Sequence, residues 1–408
     1  MTRATAVLER GTVSSTRFAL RVFAVSRAAI WATIALIWLV SESYENPLAH
    51  SDLRSHDVGY LLDVLARWDS GWLLGIADKG YSLDPNAYAF FPLYPFLVGV
   101  VGRILIRNWL LAAVLVSLAA CAVSFVLLDK LASRLLGDEA ARRSVIYLAI
   151  FPTSLFLGVA YSESLFLMLT LAAFLFAERG RWLQAGISTG LAMLTRTSGL
   201  AVLVALPLLA WRQGDRAKAL VRFAIALPIA ALYPIYLWIR VGDPFEFMTA
   251  QHKGWGRQVA TLGPLTGIGR GLYAGFQGVR QLLAGASPAA THRYWNWSTD
   301  TTVPRAAALS VFFALTLIAF AWLAVEAWRR LGAAYGVFSV ISLLIPISAP
   351  TGRWPLLSLP RFGVTIFPFF IVLALIGAKR STNTAIIWTS AVLAAVVISQ
   401  WATFYFIS

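Results

Sequence analysis

Charge is scarce in this chain. Only 13% of its 408 residues are Asp, Glu, Lys or Arg, about half the ~25% of an ordinary soluble domain. Hydrophobic residues make up 59% and mean hydropathy is +0.72, with the apolar residues in runs too long to hide in one core. Together these exclude a soluble globular protein. Cysteine is almost absent: Cys121 stands alone in an apolar run, which excludes an internal disulfide and a cysteine-based zinc site. The four histidines, His50, His56, His252 and His292, fall in no HExxH spacing, so that zinc pattern is missing too. Lysine supplies only 5 of the 34 bases. Arginine grips oxyanions in a fork that lysine lacks, and a GC-rich genome explains the same bias.

The formal charge of +15 and pI of about 10.3 would point to nucleic acid in a soluble chain. In a membrane protein they have another cause, because cytoplasmic loops collect Lys and Arg. A spanning helix needs ~20 apolar residues. Such runs lie near 20–41, 109–128, 143–159, 162–177, 220–240, 305–325, 333–349, 362–378 and 385–405. Two shorter runs, 183–195 and 199–211, flank Arg196 and read as a hairpin of short helices. The stretch 89–106 contains Arg103 and is followed by Arg107. If it does not cross, 18 of the 34 bases fall on one face, in the N-terminal segment and the loops at 130–143, 179–181, 212–222, 329–330 and 379–380. If it crosses, that asymmetry is lost. The expectation is therefore an all-α polytopic membrane protein, one domain over 1–408. It has about eleven transmembrane helices, a cytoplasmic N-terminus and a retained first helix, not a cleaved signal peptide.

This topology leaves outer segments at 41–107, 242–304 and 349–361. The first holds 8 of the 19 acids. Within it, Val58, Leu62, Leu65, Asp69, Trp72 and Ile76 alternate spacings of four and three, which places them on one helix face. The pattern predicts an amphipathic interfacial helix over 57–79, capped by Asp57 and stopped by Gly80. Asp69 interrupts the apolar face. A carboxylate there needs a partner or a chemical role. It either pairs with an arginine such as Arg67 or transfers protons, at which a desolvated carboxylate excels.

Arg67-Trp68-Asp69, then Ile76-Ala77-Asp78-Lys79-Gly80-Tyr81, then Phe90-Phe91-Pro92-Leu93-Tyr94-Pro95 form an ordered set. So do Tyr161-Ser162-Glu163-Ser164-Leu165-Phe166, Arg196-Thr197-Ser198-Gly199, and Gln251, Trp255, Gly256 and Arg257. This set resembles the PIG-V family of GPI mannosyltransferases and its bacterial relatives, well over roughly 60–260 and loosely beyond. The resemblance implies a GT-C-type membrane fold with a large first exoplasmic loop. It implies inverting transfer of mannose from a polyprenyl-phosphate-mannose donor to a hydroxyl of a lipid-linked or cell-envelope glycan. It assigns Asp69 as the catalytic base and places Arg67, Trp68, Tyr161, Glu163, Arg196, Gln251, Trp255 and Arg257 at the substrate.

A monophosphate donor develops less charge than a diphosphate, so arginine can replace a metal. The chain fits, since no two aspartates stand two apart and a DxD motif is missing; no metal or other cofactor is expected. Arg196, at the outer tip of a hairpin, is the first phosphate candidate, and Arg361 in Leu359-Pro360-Arg361-Phe362 the second. Each has a plainer reading. Arg196 can snorkel to headgroups, Glu163 can cap a helix or pair with Arg196, and Trp255, Trp295 and Trp297 can belong to an interfacial aromatic belt. The Gly267-Ile268-Gly269-Arg270-Gly271 run lacks the strand that a phosphate fingerprint requires. The implied partners are the lipid-phosphate donor, a glycan or glycolipid acceptor and membrane lipids, not nucleic acid. A sugar-lipid flippase, or a GT-C enzyme with another sugar or a protein acceptor, stands as the alternative. The arginine-rich, compact chain points to a bacterial plasma membrane with the active site outside.

Overall fold

The computed structural model describes residues 3–41, 59–211, 215–284, 303–351 and 354–403. Asp57, Tyr294, Trp295, Asn296, Trp297 and Asp300 lie outside the described residues. Within them the structure is helical, without strands. The order is α1 (Arg3–Val40), α2 (Tyr60–Asp63), α3 (Asp69–Lys79), α4 (Leu93–Ile104), α5 (Trp109–Leu136), α6 (Asp138–Ile150) and α7 (Glu163–Glu178). Then come α8 (Trp182–Met193), α9 (Gly199–Ala205), α10 (Pro207–Ala210), α11 (Arg216–Phe223), α12 (Ala226–Val241) and α13 (Glu246–Trp255). The chain continues through α14 (Pro264–Ala284), α15 (Val303–Leu331), α16 (Ala333–Ser348), α17 (Leu359–Gly363), α18 (Pro368–Ile376) and α19 (Arg380–Ala402).

Five stretches among the described residues are long and apolar enough to cross a membrane: Ser15–Val40, Trp109–Leu136, Arg216–Val241, Pro304–Leu331 and Arg380–Ala402. Their outer faces keep Leu39, Ile239, Leu315 and Trp388 exposed, a surface that only lipid covers cheaply. The chain is an integral membrane protein of all-helical, polytopic build. The six other segments read as spans from sequence are helices of sixteen residues or fewer. At 1.5 Å per residue they fall short of a ~30 Å hydrocarbon core. The stretch 89–106 becomes α4, twelve residues long, likewise too short to cross.

The run 143–159 is not one helix. It breaks at Phe151, held extended (φ −56°, ψ 140°), the conformation that the following Pro152 favours. Residues 151–162 then run without a regular helix apart from a single 3₁₀ turn, yet almost all are buried. Irregular backbone at this depth survives only where protein surrounds it. Arg27 of α1 supplies part of that protection. Its guanidinium donates to the Ser154 carbonyl at 2.5 Å and to Ser154 Oγ at 2.7 Å.

The predicted helix over 57–79 is also broken. Helix α2 ends at Asp63 and α3 starts at Asp69. A continuous helix needs the carbonyls of Val64 and Leu65 for the N–H groups four residues on. Here the Trp401 indole takes the Val64 carbonyl at 2.7 Å, and the Ala160 N–H takes that of Leu65 at 3.0 Å. The chain turns at Trp68, whose φ of 47° and ψ of −107° are strained for a side-chain-bearing residue. The far end matches expectation: Lys79 lies in the last turn and Gly80 stops α3 with φ 68°. Leu73, Leu74, Ile76 and Ala77 of α3 are buried inside the protein, so the helix packs on α4 and α5 instead of lying alone on the membrane.

The segment 242–304, read as an open outer loop, carries α13 and the 21-residue α14. Gly267, Gly271, Gly275 and Gly278 share one face of α14. A Cβ at Gly267 would overlap the Ile347 carbonyl, and one at Gly278 would sit 2.6 Å from that of Ala307. The glycine-rich run thus lets α14 press against α15 and α16. Gly267→Ala should cost about 1–3 kcal/mol by overpacking, read as a lower melting temperature in detergent. An unchanged melting temperature would contradict this close contact.

Candidate active site

Two of the breaks just described place acids at helix starts. Asp69 is the first residue of α3 and Glu163 the first of α7, where the free N–H groups of a first turn favour negative charge. Arg196 lies in the turn between α8 and α9, as the hairpin reading expected. Gly199 sits against the Met193 backbone, a close approach that keeps this turn tight. Arg361 lies in α17, entered through Ser358 in the left-handed region (φ 69°) and fixed by Thr153 Oγ1, which donates to the Pro360 carbonyl at 2.9 Å.

These four side chains meet. Arg361 Nη1 donates to Asp69 Oδ2 at 2.7 Å, and Arg361 Nε stands 3.1 Å from Glu163 Oε1. Arg196 Nη1 reaches the same Glu163 oxygen at 2.5 Å. The guanidinium of Arg361 lies over the rings of Tyr161 (5.2 Å), Phe362 (5.2 Å) and Phe156 (5.7 Å), and that of Arg196 over Phe362 (4.9 Å), which adds cation–π attraction. Burial works against the Arg361 charge, but Asp69, Glu163 and Tyr161 hold its guanidinium above its ordinary value.

The two acids differ in access. The Asp69 side chain is 24% exposed and that of Glu163 is 0% exposed. Of this pair Asp69 alone reaches solvent, whereas Glu163 holds two arginines from inside. Arg196 is thus ion-paired with Glu163, a contact that the sequence also allows for Glu163.

The remaining sequence-predicted residues separate into supports and rim. Tyr161 is buried and its hydroxyl donates to the Arg67 carbonyl at 2.9 Å, pinning the turn that presents Asp69. Arg67 is itself buried and spends Nη1 on the Asp63 and Ala66 carbonyls. Desolvation draws it down to about 10 although Asp63 opposes the shift. Trp68 packs edge-on against Trp401, centroids 5.3 Å apart. Gln251 donates its amide to the Ala89 carbonyl at 3.3 Å. Trp255 packs with Trp72 (5.5 Å) and Phe90 (5.3 Å); Phe90 belongs to the Phe-Phe-Pro motif, which gave no hint of this contact. Arg257 follows Gly256, whose left-handed φ of 62° turns the chain after α13. Its Nη2 donates to the Leu357 carbonyl at 3.0 Å. Among the described residues no group of three His, Cys, Asp or Glu side chains assembles; the site's positive charge is carried by guanidinium groups.

Residues 20–211 match the model of the mannosyltransferase (PIG-V) family. Over residues 20–211 the chain is PIG-V-like. It is 35% identical to mouse GPI alpha-1,6-mannosyltransferase 2 over 167 residues, 38% of this chain and 34% of the relative. It is 31% identical to the human protein of that name over 172 residues, 39% and 34% of the two chains. The Drosophila melanogaster GPI mannosyltransferase 2 gives 31% over 157 residues, 35% and 34%. The chain thus spans about a third of the length of the curated relatives it matches. Among solved structures it is similar to the Archaeoglobus fulgidus oligosaccharyltransferase (15% identity, TM-score 0.42, 91% of this chain and 53% of that one). It is also similar to ArnT from Cupriavidus metallidurans bound to undecaprenyl phosphate (16%, 0.39, 92% and 77%). The PIG-V-like stretch contains Asp69, Tyr161, Glu163 and Arg196. Gln251, Trp255, Arg257 and Arg361 lie beyond it, so the partner of Asp69 comes from the other half of the chain.

Proposed function

We propose that this PIG-V-like chain is an inverting GT-C-type glycosyltransferase. It moves mannose from polyprenyl-phosphate-mannose to a hydroxyl of a lipid-linked or cell-envelope glycan, on the outer side of a bacterial plasma membrane. Its N-terminus is cytoplasmic, with outer segments at 41–107, 242–304 and 349–361. The observation that carries the reading is the partly exposed Asp69, presented at a helix start and held by Arg361 next to a sealed Glu163 and Arg196.

The chemistry follows from that geometry. Asp69 takes the proton of the acceptor hydroxyl as its oxygen bonds to the anomeric carbon. The bond from that carbon to the phosphate oxygen breaks, and its electron pair leaves with the phosphate. Nearby guanidinium groups offset the charge that grows there. Glu163 holds Arg196 and Arg361 in place.

The test is purified full-length protein with radiolabelled polyprenyl-phosphate sugars and a membrane lipid extract. Transfer of label from polyprenyl-phosphate-mannose to an extractable lipid or glycan is expected. No transfer from any polyprenyl-phosphate sugar, with the lipid moved across vesicles instead, would overturn the enzyme in favour of a flippase.

A further inference from the structure

Beside the cluster of Asp69, Glu163, Arg196 and Arg361 stands a third guanidinium, that of Arg257, anchored on the Leu357 carbonyl, so three guanidinium groups face two carboxylates. The two acids are distributed between Arg361 and Arg196: Asp69 to Arg361, Glu163 to both. Among the described residues no carboxylate forms an ion pair with Arg257, and its one side-chain hydrogen bond goes to the Leu357 carbonyl. Arg257 is half-buried, so part of its hydration is lost without an anion in return. Such a group costs free energy until a counter-charge arrives.

Its position is fixed by the backbone on both sides. Gly256 in the left-handed region lets the Arg257 N–H close back onto the Gln251 carbonyl at 3.2 Å. The Leu357 carbonyl that holds its fork lies four residues ahead of Arg361, which grips Asp69. Desolvation first, then the neighbouring Arg361, pull the guanidinium down to about 10, with Asp69 opposing and Arg196 adding to the fall. It stays charged at neutral pH, and repulsion from two arginines is what an incoming anion would relieve.

We propose that Arg257 is the anion-binding residue of this site and takes the phosphate of a polyprenyl-phosphate lipid, before transfer as the donor and after it as the leaving group. The assignment rests on the glycosyltransferase reading and narrows it. Arg196 and Arg361, the phosphate candidates from sequence, serve to set Glu163 and Asp69, and the surplus positive charge falls on Arg257. One phosphodiester charge then brings the five-residue cluster to neutrality.

The experiment is equilibrium binding to the full-length protein in detergent, with undecaprenyl phosphate and with undecaprenol, which has the same tail and no phosphate. Inorganic phosphate and phosphatidylglycerol micelles serve as competitors. Wild type should prefer undecaprenyl phosphate over undecaprenol. Arg257→Gln should weaken undecaprenyl phosphate about tenfold or more, the usual loss for a charge-assisted pair, and leave undecaprenol unchanged. Arg257→Lys keeps the charge without the fork and should fall between, which decides the matter if the Gln variant melts early. Undecaprenyl phosphate binding undiminished in both variants overturns the Arg257 assignment and leaves the glycosyltransferase reading standing. A wild type that does not distinguish undecaprenyl phosphate from undecaprenol overturns both. Competition by inorganic phosphate but not by phosphatidylglycerol supports a phosphate subsite within the cluster. Phosphatidylglycerol competing as well as undecaprenyl phosphate would reassign Arg257 to bulk headgroups and overturn the proposal.

Discussion

Asp69→Asn should lower sugar transfer by about 10²–10⁴-fold, the usual contribution of a positioned proton acceptor, while binding of the polyprenyl-phosphate donor persists. The amide keeps the shape and a carbonyl oxygen for Arg361 Nη1, now 2.7 Å from Oδ2. It cannot take a proton from an attacking hydroxyl. Arg361 retains Glu163 as a counter-ion at 3.1 Å, so the fold should survive and the loss should fall on turnover. Initial rates on membranes with matched protein levels give the answer. A variant retaining more than about a tenth of wild-type transfer would remove Asp69 from the proton-transfer role.

Arg361→Met should be the most destabilising single change at the site, by about 3–5 kcal/mol, the cost of leaving a buried charge without its partner. Arg361 touches both acids, and Glu163 is sealed from solvent. Arg196 remains on Glu163 and should hold the cost near the lower end of that range. Adding Asp69→Asn to Arg361→Met removes the carboxylate left unpaired while Arg196 keeps Glu163, so the pair should recover part of the melting temperature lost by the single variant. Such coupling is expected of residues sharing one network. Thermal unfolding in detergent across the four proteins measures it. Additive losses, or an Arg361→Met protein as stable as wild type, would show that the network does not bear on the fold.

Two features of the site depend on partners that local spacing does not show. The four-and-three spacing through Val58, Leu62, Leu65 and Asp69 is a sound helical pattern, yet the helix is interrupted between Asp63 and Asp69 because Trp401 and Ala160 capture the carbonyls of Val64 and Leu65. Arg196, at the tip of its hairpin, meets Glu163 only because α7 brings that carboxylate to it. In both cases the deciding partner lies far along the chain. Pro152, by contrast, ends α6 through its immediate neighbour, because a proline disfavours the α conformation in the residue before it; Leu206 and Phe367 keep that conformation before Pro207 and Pro368.

The scarcity of charge and the length of the apolar runs determine by themselves that this chain is helical and lives in a membrane, because hydropathy and helical period are local properties of a sequence. Motif order likewise marks Asp69, Tyr161, Glu163 and Arg196. What only the tertiary structure decides is their division of labour. An ion pair forms between Asp69 and Arg361, 292 residues apart, and solvent access separates Asp69 from Glu163. Neither pairing across that distance nor burial is written in local spacing; both depend on which helix ends the packed bundle brings together.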